Sequence, residues 1–326
     1  WFVAVVLLAA DARPALAYLK FGIRTGDRSV ALRWTRVPVR YRVTEGAAPG
    51  VGATDLRDAV ARAFSSWEAV PSSSVAYRFD GFTSALPGED DGATTVGFAE
   101  RPDLDRVLAS TSLLIDVATG ELLEADIFFN TSFPWSVSTA GERGRFDLET
   151  IALHEIGHLS GLGHSALGET ELVEAGRRVI AAESVMFPIA FSSGTVANRT
   201  LRADDVAGIS DLYPDAGFAD RTGSISGRVT RVGRGLFGAH VVAFNVATGQ
   251  LIAGFTLNAE GRFSIGGLSP GPHLLRVEPL DDADIESFFE ASSPIDIDFT
   301  VAFHNRLVVA PRGGDSGSVE VAVEPK

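Results

Sequence analysis

His154 and His158 stand four positions apart, with Glu155 beside the first, inside an apolar-periodic run through Leu148, Ile151, Ala152 and Ile156. Residues i and i+4 of a helix lie on one face a turn apart, so this spacing turns both imidazoles the same way. Gly161 and Gly163 follow closely. They allow the helix to end in a left-handed residue and the chain to swing round, bringing His164 toward the same point. Three neutral imidazoles suit one zinc ion and leave its fourth tetrahedral position to water, whose pKa zinc lowers from ~15.7 to about 7. Glu155 is too close in sequence to share the ion with both histidines, but it can take a proton from that water and hand it to a leaving amine. The set therefore points to peptide hydrolysis, with His154, His158 and His164 as metal ligands and Glu155 as the catalytic base. A lone His-x-x-x-His pair is often only a surface or capped pair. Here the remaining histidines are His240, His273 and His304, all far downstream, so the first three are concentrated in one short stretch.

The elements that must position these residues can be read from periodicity. Asp147 is well placed to cap the histidine-bearing helix. Val39, Tyr41 and Val43 alternate with Arg40, Arg42 and Thr44, the signature of a strand with one buried face. Thr54 is the expected cap of a helix with Leu56, Val60, Ala63, Phe64 and Trp67 on one stripe, ending before Pro71. Val75 to Phe79 reads as a strand, and Thr111–Ile115 with Leu122–Phe129 as a hairpin turning at Thr119-Gly120. A last helix is expected over Ala203–Leu212, closing before Pro214. The first domain, 18–216, is thus α+β. A polar connector, 217–222, leads to a second domain, 223–326, in which Ser224–Thr230, His240–Phe244, Leu251–Thr256, Phe263–Ile265 and His273–Val277 read as strands of a small all-β sandwich.

Composition sets the outer bounds. The 326 residues are 45% apolar and 21% charged, which fits about two folded domains. Lys and Arg number 28 against 42 Asp and Glu, a formal charge of -14, so no net attraction for nucleic acid exists. There is no cysteine, which excludes disulfides, thiolate metal sites and a cysteine nucleophile or latch. Trp1 to Ala10 is wholly apolar but too short for the ~20 residues of a membrane span, and Ala15-Leu16-Ala17 follows it. Residues 1–17 therefore read as a secretory signal cleaved after Ala17, truncated at its start, and the expected protein is secreted or extracytoplasmic, without stable membrane insertion. A monomer acting on a polypeptide partner is the expected state.

His154-Glu155-Ile156-Gly157-His158-Leu159-Ser160-Gly161-Leu162-Gly163-His164 resembles the metzincin zinc signature at every fixed position. Ser165, the stretch Ser184-Val185-Met186-Phe187-Pro188, and Leu201 through Tyr213 resemble the matrixin branch, as do Trp34–Val43 and the helix ending at Trp67. The resemblance covers roughly residues 31–214. It implies a metzincin-type catalytic domain, a twisted mixed sheet over the active-site helix, with substrate along an edge strand at Leu108-Ala109-Ser110. It also implies that Met186, the single methionine, is the Met-turn floor beneath the histidines and not a ligand. Departures are visible. The interval from His164 to Met186 is long, and a helix over Glu171–Ala182 is expected to fill it. In Asp126-Ile127-Phe128-Phe129-Asn130 a Phe stands where the family's second, structural zinc would need a His, so one catalytic zinc is expected. Matrixins commonly carry structural Ca2+, for which Asp126 and Asn130 are the candidates, although such residues more often serve turns and strand ends.

Two further signals compete. Gly314-Asp315-Ser316-Gly317 resembles the nucleophile loop of trypsin-like serine peptidases, but it lies in a domain too small for a double barrel and lacks a paired histidine loop. A glycine-rich hairpin is the expectation there. Gly223–Val229 and Asn258–Leu268 resemble carboxypeptidase-regulatory-like, transthyretin-type sandwiches, modules that imply help in folding, secretion or adhesion. The acidic run Asp281-Asp282-Ala283-Asp284 reads as a solvated loop. The alternative function is a surface or adhesion protein with a vestigial peptidase domain.

Overall fold

The structure, a computed structural model, describes residues 19–25, 28–174, 176–290 and 292–326; the segment read as a secretory signal lies outside them. A short antiparallel pair, β1 (Gly22–Thr25) and β2 (Arg28–Ala31), precedes the main sheet. That sheet comprises β3 (Val39–Thr44), β4 (Tyr77–Thr83), β5 (Thr94–Ala99), β6 (Ala109–Ile115) and β7 (Leu122–Asn130), in the spatial order β4-β3-β5-β7-β6. All neighbours run parallel except β6, which is antiparallel to β7 and occupies the edge. The expected alternation holds in β3, where Val39, Tyr41 and Val43 are buried while Arg40 and Arg42 face solvent.

Helix α1 (Ala53–Glu68) crosses between β3 and β4 and buries Leu56, Ala59, Val60, Ala63, Phe64 and Trp67. Its cap is Gly52 rather than the expected Thr54, because the Asp55 carboxylate reaches back to accept from the Gly52 N–H at 3.2 Å. The Trp67 indole N–H donates to the Leu153 carbonyl at 2.8 Å, tying α1 to α2 (Leu148–Leu159). The parallel two-residue pair β8 (Trp135–Ser136) and β9 (Phe146–Asp147) leads directly into α2.

The helix expected over Glu171–Ala182 is instead a hairpin, β10 (Gly168–Val173) and β11 (Gly176–Ala182). Gly176, at φ 121°, provides the turn conformation that an L side chain resists. Glu171 and Arg178 stand directly opposite and form an ion pair, a cross-strand match that a count of helical propensities does not register. Next come α3 (Ala203–Leu212), as expected, and α4 (Phe218–Arg221), which turns the polar connector into one helical turn with Phe218 buried.

The remaining strands form the all-β domain: β12 (Gly223–Arg231), β13 (Arg234–Gly235), β14 (His240–Asn245), β15 (Leu251–Phe255), β16 (Arg262–Leu268), β17 (Gly271–Glu278), β18 (Ala302–Phe303), β19 (Val308–Ala310) and β20 (Asp315–Val323). One sheet has β12 between β16 and β20, and the other has β14 and β17 at its centre. Ile225, Val229 and Ile265 of the first sheet share a core with Val241, Ala243, Leu275 and Val277 of the second. The Gly314–Gly317 stretch is no hairpin. Strand β19 pairs with β17 and β20 with β12, so the stretch carries the chain from one sheet to the other, with Asp315 accepting from Ser224 and Ser226. The same buried cluster continues through α3 into the first domain. Among the described residues no helix is long and apolar enough to cross a membrane.

Trp67 is fully buried and supplies the α1 to α2 hydrogen bond. Trp67→Ala should cost about 4 kcal/mol, through the cavity and the lost hydrogen bond to the Leu153 carbonyl, as read by urea unfolding.

Candidate metal centre

Both ends of α2 are held. Asp147 accepts from the Thr150 N–H at 2.9 Å and is paired with Arg199, whose Nε lies 2.8 Å away. At the other end the Gly161 N–H donates to His158 O and the Leu162 N–H to Gly157 O, at 2.9 and 3.0 Å. This is a Schellman closure around Gly161, whose φ is 99°. A Cβ there would stand 2.3 Å from the Leu32 carbonyl oxygen, so glycine is required for space as well as for conformation. The carbonyls of Leu159 and Ser160, which no helical turn can satisfy, accept from the Trp34 indole and the Tyr213 hydroxyl, each at 2.8 Å. The turn is pinned from below by the N-terminal segment, with Gly163 N–H to Leu19 O at 2.8 Å and Phe21 N–H to Gly161 O at 2.9 Å.

The turn brings His164 to the other two histidines. His158 Nε2 lies 3.1 Å from His154 Nε2 and 3.2 Å from His164 Nε2, and all three lie within 4.8 Å of one another. Each Nδ1 faces a backbone carbonyl: Val185 at 2.7 Å for His154, Leu162 at 2.8 Å for His158 and Ser287 at 2.6 Å for His164. A carbonyl can only accept, so each Nδ1 carries the hydrogen and each neutral ring turns a bare Nε2 lone pair inward. Burial pushes all three pKa values down, that of His154 to about 3, which keeps the rings neutral. A tetrahedral zinc with bonds of 2.0–2.1 Å sets neighbouring nitrogens about 3.3–3.4 Å apart. The residues therefore fit a zinc ion, and the three backbone carbonyls are the outer partners that orient such ligands.

Glu155 is buried beside this cluster, on the sheet side of the helix. Its carboxyl is pushed up to about 7 by burial, opposed by the Thr111 hydroxyl of β6, which donates to Oε2 at 2.7 Å. Met186 is buried beneath the helix. A Cβ at position 157 would meet its sulfur at 2.2 Å and the Trp67 ring at 3.1 Å, so Gly157 lets the methionine approach the helix backbone. The Met186 turn is held by Asp205 of α3, which accepts from the Ser184 hydroxyl at 2.5 Å, the Val185 N–H at 3.0 Å and the Arg202 N–H at 2.8 Å. Val185 thus meets Asp205 through its N–H and His154 through its carbonyl.

Asp126 and Asn130 do not converge. Asp126 accepts from the N–H groups of Gly88 and Thr95, beside Glu124, which accepts from Gly92. Burial raises both carboxyls, Asp126 to about 6 and Glu124 to about 7. Asn130 is spent on a loop, donating toward the carbonyls of Arg101, Leu104 and Val107 and accepting from Arg101 and Ser132 N–H. Sequence reasoning missed Thr111, Asp205 and Ser287. Only Asp205 carried a signal, within the Leu201–Tyr213 resemblance. The acidic run is not simply solvated either: Asp282 accepts from the Thr170 N–H at 2.7 Å, and the Asp281 carbonyl accepts from Arg177 at 2.8 Å.

The matrixin family profile matches residues 33–214, and the carboxypeptidase regulatory-like domain profile matches 224–301. Among curated relatives, mouse (Mus musculus) Stromelysin-1 is 26% identical over 182 residues, 56% of this chain and 33% of its own. Metalloendoproteinase 4-MMP of Arabidopsis thaliana is 27% identical over 192 residues, 56% of this chain and 48% of its own. Metalloendoproteinase 5-MMP of the same plant is 40% identical over 67 residues, 21% of this chain and 14% of its own. The chain spans less than half the length of each of these relatives.

Removing the Asp205 carboxylate would leave the buried Val185 N–H and the Ser184 hydroxyl without their acceptor, while the Met186 N–H keeps the Ser184 oxygen at 3.0 Å. Asp205→Ala should lower stability by about 3 kcal/mol and weaken metal uptake through the Val185 carbonyl, as measured by denaturant unfolding and chelator competition.

Proposed function

This chain belongs to the matrixin family, and on that footing we propose that it is a secreted zinc-dependent endopeptidase in which Glu155 is the general base. The observation that carries the reading is the convergence of three unprotonated Nε2 atoms, 3.1–3.2 Å from neighbour to neighbour, beside a buried glutamate. His154, His158 and His164 would hold the ion. Zinc bound there supplies Lewis acidity, polarising a carbonyl oxygen and making water acidic near neutral pH.

The protein's own groups account for the remaining steps. Glu155 accepts the proton of the attacking water and returns it to the leaving nitrogen, so it must start ionised and end ionised. Thr111 holds the carboxylate by one oxygen. Strand β6, paired only with β7 in its sheet, offers an edge to which an extended polypeptide can add as a further strand. The segment from Pro188 to Ser193, after the Met186 turn, would wall the pocket for one substrate side chain. Export rests on the apolar Trp1–Ala10 stretch and the Ala15-Leu16-Ala17 triplet. Amino-terminal sequencing of exported protein should return a chain beginning at Tyr18.

Metal-loaded protein incubated with a diverse peptide library should cut internal bonds, and a chelator should stop it. Glu155→Ala should keep the fold and the metal while lowering kcat by roughly 10²–10⁴. Undiminished cleavage by the pure variant would remove Glu155 from the mechanism. Tight partner binding without any cleavage by the unmodified chain would favour the adhesion alternative.

The pH profile has a definite sign. Burial holds the Glu155 carboxyl up to about 7, and a nearby dication favours the carboxylate. kcat/KM should therefore rise with pH along a limb at or below about pH 7. Thr111→Val removes a hydrogen bond to the ionised form and should move that limb to higher pH, as read from kcat/KM between pH 5 and pH 9.

A further inference from the structure

Two of the three imidazoles find their carbonyl within the first domain, His158 at Leu162 and His154 at Val185. The third does not. His164 Nδ1 donates to the carbonyl of Ser287, which lies 123 residues further along the chain in the β-sandwich domain. Ser287 sits in a 3-10 turn, Ile285–Ser287, that is closed by Ser287 N–H to Asp284 O and Phe288 N–H to Ile285 O, both at 2.9 Å. The turn is anchored by Phe288, which is buried, lies edge-on to the His164 ring at 6.3 Å, and packs against Phe255 of β15 at 5.8 Å. Its cluster joins both domains: Leu19, Ala166, Ala182 and Phe187 from the first, Phe255, Leu280 and Phe289 from the second.

A second, separate link lies beside His164. The hydroxyl of the next residue, Ser165, donates to Asp204 Oδ2 at 2.7 Å, while Asp204 Oδ1 accepts from the Ala253 N–H of β15 at 2.9 Å. Both groups are buried. The residue that follows the third ligand is thus tied to the sandwich independently of Ser287. Among the described residues no such link from the sandwich reaches His154 or His158.

We propose that the C-terminal sandwich is a working part of the metal centre, its Ser287 carbonyl, held in place by Phe288, acting as the positioning group for the ligand His164. The inference rests on the zinc reading above and deepens it. It assigns the sandwich a role in ligand geometry, where the resemblance implied only folding, secretion or adhesion. Linkage follows: the docking that orients His164 strengthens metal binding, and bound metal strengthens docking by the same factor.

The test uses the full chain. Phe288→Ala, Phe288→Leu and, as a control on the exposed face of the sandwich, Phe303→Ala are compared with the unmodified protein. Zinc affinity is read by competition with a chromophoric chelator, and ligand geometry by the visible spectrum of the cobalt(II)-loaded protein. Phe288→Ala should bind zinc 10–100-fold more weakly and alter the cobalt bands, Phe288→Leu should recover part of both, and Phe303→Ala should match the unmodified chain. A folded Phe288→Ala with zinc affinity within twofold of the unmodified chain would overturn the proposal. If Phe288→Ala does not fold, the zinc-loaded unmodified chain still decides. The 15N-resolved His164 Nδ1–H should exchange with solvent as slowly as that of His158, and exchange at the rate of a free imidazole would overturn the proposal. If the unmodified chain takes up neither zinc nor cobalt, the zinc reading fails and this inference fails with it. If it takes up both and Phe288→Ala binds them equally well, only the inference fails.

Discussion

Three imidazole N–H groups, each given to a backbone carbonyl, set the character of this protein. Once Nδ1 is committed, the opposite nitrogen of each neutral ring has only a lone pair to offer, and that of His158 stands little more than 3 Å from each of the other two. Approaches that close between bare acceptors are unfavourable by themselves and become favourable around a cation. Much of the fold can be understood as the means of fixing three carbonyls. The Leu162 carbonyl is placed by the Schellman turn, that of Val185 by Asp205, and that of Ser287 by a 3-10 turn seated in an aromatic cluster.

The buried carboxylates show how the interior is organised electrically. Asp204 and Asp205 open α3 and are buried, and burial raises both pKa values. Each is held by hydrogen bonds from hydroxyl and amide groups, and among the described residues no cation stands within ion-pair distance. Hydrogen bonds to fixed amides give direction where an ion pair would give mostly attraction, and direction is what these two positions need. Asp205 orders the Met186 turn beneath the helix, and Asp204 joins Ser165 to the sandwich. Asp147, at the start of α2, is treated differently: it caps the helix and also pairs with Arg199.

Several elements could be read directly from residue order because their causes are local. The alternation of Val39, Tyr41 and Val43, the cap at Asp147, the stripe of α1, and the glycine that ends α2 all depend on neighbours a few positions away. The hairpin of β10 and β11 could not be read that way. Its opposite charges, Glu171 and Arg178, also satisfy a helical pattern, and the tertiary contact of Thr170 with Asp282 helps to hold the strand form. The short strands β18 and β19 and the crossing at Gly314–Gly317 were missed for a related reason. Strands of two or three residues carry too little periodicity, and their pairing partners lie far off along the chain.

The sequence by itself marked out the three histidines, the glutamate beside the first and the helix that carries His154, Glu155 and His158, because a spacing of four on a helix and a glycine at its end are geometric instructions that need no distant partner. It also marked out two domains. Only the tertiary structure decided which atoms orient the three imidazoles. Backbone carbonyls are chemically identical at every position, so no residue type announces that those of Val185 and Ser287 will meet an imidazole. Their selection is made by packing: Asp205 draws one turn beneath the helix, and Phe288, wedged among residues of both domains, draws the other to His164.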